Sequence, residues 1–372
     1  MSGLSGIGAF QDDREEHVEV GANENMVTIS VVGAGYWGPN LARNIALSDL
    51  TQLSWICDLD VDRADRVARH FGEAKVTSDL NEILDDSSVD GVAIATPVAT
   101  HAAIAEACLK AGKHVLIEKP LAASVSEGAA LVELARSEGV VLMTDHTFCY
   151  TAVVGRIRDL VRGGELGDLL YYDSVRVNLG LVQSDIDVFW DLAPHDLSIL
   201  DFVLPDAVRP VSVSAWGADP LGVGRDCIGH LSLALSNGAL AHAHLNWLSP
   251  SKIRTTIIGG SRRMLMWDDL RPAQRLSVFD AGIDIDDSDE VSRLEALVSY
   301  RIGDMVAPTL PEREALKSVV EEFAASISES RAPLTDGAAG LRVLEVLAAA
   351  DRSRASQGQA IPLDQIYPAD PR

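Results

Sequence analysis

VTISVVGAGYWG, residues 27–38, decides the fold of the first part of this chain. A run of β-branched residues leads into three glycines, Gly33, Gly35 and Gly38, spaced as GxGxxG, and a helical pattern (39–48) follows. Glycines at this spacing let the backbone turn tightly and approach a pyrophosphate, while the start of the helix offers free amides and the positive end of its dipole. The stretch therefore predicts a dinucleotide-binding turn between a strand and a helix.

An acidic residue follows this turn at the spacing that a dinucleotide site requires. Asp58 lies at the end of the second predicted strand (51–60), about 20 positions beyond the last glycine. A carboxylate there accepts hydrogen bonds from the ribose hydroxyls of NAD and repels the 2′-phosphate of NADP. Arg63 and Arg66 lie nearby and would suit that phosphate, but the carboxylate favours NAD as the cofactor.

The pattern of short apolar runs changes along the chain. From 27 to 147, strand-like runs alternate with amphipathic helical segments, which is typical of a doubly wound α/β domain with a parallel sheet. From 148 to 372 most segments are strand-like, and Ser236-Asn237-Gly238 between two of them predicts a hairpin turn. We expect a Rossmann domain at 27–147, a second α/β domain at 148–372 with a large, mainly antiparallel open-faced sheet, and a flexible tail at 1–26.

Composition limits the possible partners and compartments. The chain has 372 residues, 47% of them hydrophobic, and carries 31 basic against 55 acidic residues, a net charge of −24. Such a charge repels nucleic acids and anionic membrane surfaces, so we expect neither as a partner. No apolar run approaches a membrane span. Four separated cysteines without metal-binding spacing, and no secretion signal in 1–26, favour a cytoplasmic protein with reduced thiols.

The segment FWDLAPHDLSIL (189–200) places Asp191 and His195 four positions apart among apolar residues. On a helix the two side chains share one face. Two interpretations remain open for the pair taken alone: Asp191 caps the helix beside a satisfied, partly buried histidine, or the two groups carry chemistry. A metal site is disfavoured because no third ligand stands at a recognisable spacing, so we expect no metal.

The segment Glu118-Lys119-Pro120 ends a predicted strand of the first domain. Ligands of open α/β sheets bind at the carboxyl ends of the strands. Lys119 is therefore either a surface charge or an acid/base group positioned against a substrate oxygen, and Pro120 restricts the backbone next to it.

Four segments together resemble the Gfo/Idh/MocA family of NAD(P)-dependent sugar and cyclitol oxidoreductases: GAGYWG (33–38), IATPVATH (94–101), EKPLA (118–122) and WDLAPHD (190–196). The resemblance implies a substrate bound between the two domains and gives catalytic roles to Lys119, Asp191 and His195. His195 would take the hydroxyl proton as the hydride leaves, Asp191 would orient its ring, and Lys119 would stabilise charge on the same oxygen. The implied cofactor-binding residues are Gly33, Gly35, Tyr36, Trp37, Gly38, Asp58, Thr96, Pro97, His101, Glu118, Lys119 and Pro120.

Family members that resemble this chain, with DSVRVNLG ahead of WDLAPHDL, act at C3 of nucleotide-linked hexoses. Arg176 and Asn178 share a face of one predicted strand, where Arg176 would bind a carboxylate or phosphate, or else form a salt bridge on an edge strand, and Asn178 would bind a sugar hydroxyl. The implied substrate-binding residues are Lys119, Tyr150, Arg176, Asn178, Trp190, Asp191 and His195, and His146 is a further cleft residue.

Three functions remain open on these residues. Because 3-ketoreductases of deoxysugars often carry tyrosine in place of His195, the histidine favours an NAD-linked 3-dehydrogenase of a nucleotide sugar. The alternatives are a dehydrogenase of a free cyclitol or monosaccharide and a non-catalytic NAD-sensing regulator. Apolar side chains on more than one face of the second sheet predict a homodimer or homotetramer formed through that sheet.

Overall fold

The computed structural model describes residues 26–71, 74–180, 182–183, 186–285 and 298–363. The predicted tail, apart from Met26, lies outside these residues. The described chain builds two sheets with helices between and around them.

The first sheet is parallel throughout and has six strands in the order β3-β2-β1-β4-β5-β6. Its strands are Val27–Val32 (β1), Thr51–Cys57 (β2), Lys75–Thr77 (β3), Gly91–Ile94 (β4), His114–Glu118 (β5) and Leu142–Asp145 (β6). The accompanying helices are Gly38–Ala46 (α1), Val61–Ala68 (α2), Leu80–Leu84 (α3), His101–Lys110 (α4) and Val125–Glu138 (α5). The order reverses direction between β1 and β4, and ligands of doubly wound sheets bind at such a switch point. The predicted doubly wound architecture is confirmed.

The second sheet has nine strands in the order β14-β13-β12-β11-β7-β10-β9-β8-β15. Its strands are Leu169–Leu179 (β7), Pro210–Ala218 (β8), Ile228–Leu235 (β9), Leu240–Asn246 (β10), Leu248–Gly260 (β11), Met264–Asp268 (β12), Leu276–Ile285 (β13), Val298–Val306 (β14) and Ile361–Pro362 (β15). Neighbours are antiparallel except β7 and β10. The predicted hairpin joins β9 to β10, with Gly238 at a φ of +85°. A mainly antiparallel second sheet is therefore confirmed.

Four further helices complete the packing: Ala152–Arg162 (α6) and Val188–Val203 (α7) cover one face of this sheet, Ala315–Ser328 (α8) packs against the first sheet, and Gly337–Ala355 (α9) contacts both sheets. Phe323 of α8 is fully buried in the core that includes Ile29 of β1, so a helix from the second half of the chain completes the first domain. Asp336 caps α9 and accepts a hydrogen bond from Ala339 N. None of the helices in the described ranges is long and apolar enough to span a bilayer.

Within the described ranges, no helix covers the opposite face of the second sheet, which is called its open face below. Trp216, Leu240 and Ile253 are exposed there, and the rings of His230 and His244, paired across β9 and β10, stack with centroids 4.4 Å apart. The sheet therefore carries apolar side chains on both faces. The domain boundary at 147/148 stays a prediction.

Candidate active site

The glycine turn between β1 and α1 packs tightly against the backbone at Gly33 and Gly38 and leaves space for a ligand at Gly35. A Cβ on Gly33, whose φ is +99°, would lie 2.6 Å from Ala95 O, and one on Gly38 would lie 1.9 Å from Gly33 O. A Cβ on Gly35 would meet nothing within 4 Å. Gly33 and Gly38 thus allow close backbone packing, whereas Gly35 faces open space at the N-terminus of α1, where a pyrophosphate fits. Tyr36 and Trp37 are exposed beside it.

Asp58 is held at this turn by two backbone amides. Its Oδ2 accepts from Ala34 N at 2.7 Å and its Oδ1 from Asp60 N at 2.8 Å. Arg63 Nη1 lies 3.8 Å from Asp58 Oδ1. The carboxylate is oriented before any ligand arrives and keeps lone pairs for ribose hydroxyls. These residues fit an NAD molecule.

His101 joins the loop after β4 to the segment after β5. The ring is buried, with Nε2 2.8 Å from Thr96 O and Nδ1 2.9 Å from Pro120 O. Burial lowers the pKa of His101. The resemblance implied a cofactor contact for His101, but its nitrogens are committed to these carbonyls, so its contribution is to hold the two loops. Thr96 and Pro97 stand in the first loop, beside the glycine turn.

Lys119 extends from the end of β5 to the first turn of α7. Its Nζ donates to Asp191 O at 2.8 Å and lies 3.4 Å from Asp191 Oδ1. The other carboxylate oxygen, Asp191 Oδ2, accepts from Trp247 Nε1 at 3.0 Å. A lysine of the first domain and an aspartate of the second therefore meet in the cleft between the sheets.

Two expectations about Asp191 are wrong in this geometry. Asp187 caps α7, accepting from Phe189 N and Trp190 N, so Asp191 is not the cap. Its carboxylate bonds Trp247 and Lys119 rather than orienting the ring of His195. The sequence spacing places Asp191 and His195 on one helix face, but Lys119 and Trp247 occupy the two carboxylate oxygens of Asp191.

His195 lies one turn further along α7, with its ring edge-to-face against Phe148 at a centroid distance of 5.1 Å. Burial lowers the pKa of His195 well below 6.5, and the positive charges of Lys119 and Arg176 lower it further. The imidazole is thus neutral at neutral pH. A neutral imidazole beside an ammonium group can accept a proton from an alcohol.

Glu118, which precedes Lys119 in the chain, and Asp145 form a buried acidic pair. Glu118 and Asp145 stand side by side on β5 and β6, and Thr147 Oγ1 donates to Asp145 Oδ1 at 2.7 Å. Burial and the charge of Asp145 raise the pKa of Glu118, and burial raises that of Asp145 to about 6. Burial also lowers the pKa of the adjacent His146 to about 3. Glu118 therefore faces Asp145 in the interior rather than an open cofactor cleft.

Arg176 is neither on an edge strand nor free for a ligand. Its strand, β7, lies between β10 and β11, and its buried guanidinium binds Asp196 through Nε (2.8 Å) and Nη2 (3.1 Å). Ser174 Oγ donates to the same carboxylate. The structure supports the salt-bridge interpretation of Arg176. Asn178 is half-buried and lies further along β7, close to the carboxyl end of the strand.

The two aromatic substrate candidates are also engaged within the protein. Tyr150 OH lies 2.9 Å from Thr335 Oγ1, and Trp190 Nε1 donates to Asp351 Oδ2 at 3.0 Å. The polar atoms of both side chains are therefore used within the protein, and only the aromatic rings remain for a contact with substrate.

Sequence reasoning missed three residues of this site, Phe148, Trp247 and Arg254. Phe148 stacks under the guanidinium of Arg176, with Cζ 4.6 Å from the ring centre, and Arg254 Cζ lies 5.8 Å from the same centre. Only Arg254 had a signal in the sequence, because strand alternation places it on one face with Lys252 in KIRTTIIGG. Phe148 and Trp247 are near the catalytic candidates only through tertiary packing.

Comparison with known proteins agrees with this architecture. The Gfo/Idh/MocA profile described as "Oxidoreductase family, NAD-binding Rossmann fold" matches residues 27–146, and the family's C-terminal domain matches 154–265. UDP-N-acetylglucosamine 3-dehydrogenase from Acidithiobacillus ferrooxidans is 29% identical, over 84% of this chain and 93% of the relative. The solved structure of that enzyme, at 27% identity, superposes with a TM-score of 0.73 and covers 89% of this chain and 97% of its own.

Other relatives act on other sugars. The scyllo-inositol 2-dehydrogenase (NAD(+)) of Bacillus subtilis is 28% identical, over 51% of this chain and 57% of the relative. A levoglucosan dehydrogenase solved with NADH and L-sorbose shares the fold, with a TM-score of 0.77 at 21% identity, covering 91% of this chain and 99% of its own. With both domains matched and the cofactor turn in place, the chain belongs to the Gfo/Idh/MocA family and is an NAD(P)-dependent oxidoreductase with an NAD-binding Rossmann fold.

Proposed function

We propose that this protein is an NAD-dependent 3-dehydrogenase of a nucleotide-linked hexose. The observation that carries the proposal is the convergence of Lys119, from the end of β5, with the first two turns of α7, which hold Asp191 and His195. The similarity to a UDP-N-acetylglucosamine 3-dehydrogenase along most of both chains supports the choice of substrate class.

The proposed chemistry divides the work between two side chains. NAD, when bound, supplies the acceptor for the hydride that leaves the alcohol carbon. Neutral His195 accepts the hydroxyl proton, and the Lys119 ammonium donates a hydrogen bond to the same oxygen and stabilises its developing negative charge. Asp191, held by Trp247 on its far oxygen, fixes the direction of the Lys119 side chain.

A substrate screen tests the proposal. Purified protein is incubated with NAD and, separately, with UDP-N-acetylglucosamine, other nucleotide hexoses, N-acetylglucosamine, glucose and inositols, while NADH absorbance is followed. We expect turnover of a nucleotide sugar and slow or no turnover of free polyols. Activity confined to free polyols would instead establish the second candidate, a free cyclitol or monosaccharide dehydrogenase, which the scyllo-inositol 2-dehydrogenase relative supports.

We also infer that a second copy of the chain covers the open face of the second sheet. This face carries Trp216, Leu240 and Ile253 exposed to solvent, and exposed apolar patches of this kind mark interfaces. Sedimentation analysis should show a dimer or tetramer, and Ile253→Asp should shift it toward monomer. The four described cysteines are all unpaired, which is compatible with the predicted cytoplasmic location.

A further inference from the structure

The inner face of β11 leaves the protein core beside the catalytic cleft. Ile258 and Thr256 are buried on this face, Arg254 has 35% of its side chain exposed, and Lys252 is exposed. Because alternate residues of a strand share a face, Arg254 continues this row out of the core. Lys252 follows in the irregular stretch between Leu248 and Ile253, so this end of β11 carries two cations.

Arg254 lies close to the reacting groups. Its Cζ is 5.8 Å from the centre of the Phe148 ring, whose other neighbours include His195 at 5.1 Å. Arg254 also pairs with Arg176 across β11 and β7, so the two guanidinium groups flank one ring. The positive charge of Arg254 is among those that lower the pKa of His195.

The two arginines differ in how far they are neutralised inside the protein. Arg176 is buried and binds Asp196 with two nitrogens. Arg254 has one long contact, 3.4 Å from Nη1 to Asp269 Oδ2. A planar guanidinium with free N–H groups at the edge of a cleft suits two oxygens of a phosphate.

We propose that Arg254, assisted by Lys252, binds the diphosphate of the substrate, the role that the sequence alone suggested for Arg176. This inference rests on the proposed function, because among the candidate substrates only a nucleotide-linked sugar carries a diphosphate. C1, which bears that diphosphate, is separated from C3 by a single ring carbon, so a sugar whose C3 hydroxyl lies at His195 directs its phosphates to a neighbouring wall of the cleft. Residues two apart on a strand lie about 7 Å apart, and both long side chains can converge on one diphosphate.

Calorimetric titration of UDP and of dTDP into NADH-loaded protein tests this site without requiring turnover. Arg254→Gln should raise the Kd roughly 10- to 100-fold, the loss expected for a charge-assisted hydrogen-bonded pair. Lys252→Gln, at an exposed position, should raise it only about two- to five-fold. Arg271→Gln is the matched control, an exposed arginine of the same domain paired with Asp268, and should leave the Kd within about two-fold.

Two further variants separate binding from folding. Arg254→Lys keeps the charge and should recover part of the affinity. Asp269→Asn removes the internal partner of Arg254, so it should leave the Kd for UDP unchanged or lower it. Thermal unfolding of each variant checks that the fold is retained.

The outcomes distinguish this inference from the proposed function. If wild-type protein binds UDP or dTDP and oxidises a nucleotide sugar while Arg254→Gln does both equally well, the diphosphate site is wrong and the function stands. If wild-type protein binds neither nucleotide, the inference is overturned whatever the substrate. Oxidation of free polyols alone removes the proposed function, and loss of affinity in Arg254→Gln for glucuronate but not for UDP would show a carboxylate site instead.

Discussion

Trp247 donates its indole N–H to Asp191 Oδ2 at 3.0 Å, while Lys119 Nζ contacts the main-chain carbonyl oxygen and the Oδ1 atom of the same Asp191. Trp247 is fully buried at the junction of β10 and β11. The carboxylate of Asp191 therefore links Trp247, at the junction of β10 and β11, to Lys119 of the first domain. We assign Trp247 a positioning role, since it acts through Asp191.

Trp247→Phe keeps the ring and removes the N–H. We expect kcat to fall roughly 10- to 100-fold, because a hydrogen bond to a charged group is worth about 1.5–3 kcal/mol, with little change in KM or in NADH affinity. Steady-state kinetics and NADH fluorescence titration measure these quantities. Trp55→Phe is the control, because Trp55 makes a similar bond to Asp86 (2.9 Å) away from the site. An equal fall of kcat in both variants would count against positioning.

Lys119→Ala removes the cation that faces the substrate oxygen. We expect kcat to fall by several orders of magnitude, because charge stabilisation at the developing alkoxide is lost. The Kd for NADH should change little, since Lys119 bonds Asp191 rather than the glycine turn. Undiminished turnover in this variant would refute the assigned role, and a matching loss of NADH affinity would place Lys119 in cofactor binding instead.

His195 should set the acidic limb of the pH dependence of kcat/KM. Because burial and nearby cations lower its pKa below 6.5, the base stays neutral at neutral pH and loses activity only when the pH falls below that value. An unperturbed imidazole has a pKa of about 6.5, and the surroundings of His195 move this ionisation to lower pH. His195→Asn should abolish the acidic limb along with most of the activity. An acidic limb centred above 6.5 would contradict this assignment.

His146 should make unfolding pH-dependent. Its folded pKa, about 3, lies below the unfolded value of 6.5, so the unfolded chain binds a proton that the folded chain refuses. Its contribution is fully present above pH 6.5 and is lost as the pH falls toward 3. The free energy of unfolding is measured by urea titration for wild type and His146→Asn at pH 7 and at about pH 4.5. It should fall less steeply with acid in the variant, by up to about 1.4 kcal/mol per pH unit.

Asp58 should govern the choice between NAD and NADP. Removal of its charge in Asp58→Ser releases Arg63 Nη1, now 3.8 Å from Asp58 Oδ1, to meet a 2′-phosphate, while Arg63 Nη2 keeps its contact with Asp60 at 3.3 Å. We expect the ratio of kcat/KM for NAD over NADP to fall roughly 10- to 100-fold, by the loss of hydrogen bonds to a charged group. Asp62→Ser, on the adjacent turn of α2, is the control. An unchanged ratio would show that Asp58 does not contact the ribose.

The sequence by itself determined what depends on short spacing. The glycine turn, the parallel first sheet, the hairpin at Gly238 and the cap at Asp336 each follow from local backbone chemistry, and each is present. The helix holding Asp191 and His195 was also predictable, because four residues make about one turn.

Tertiary structure decided which partner each polar side chain met. Asp191 had His195 as its neighbour in sequence, yet it bonds Trp247, 56 positions away, and Lys119, 72 positions away. The sequence left Arg176 either to bind a substrate anion or to form a salt bridge on an edge strand, and Asp196 neutralises it on a central strand in the interior. Local pattern specifies the element and its face, whereas the strength of an ionic contact depends on distance and burial, and only the packing of distant elements sets those.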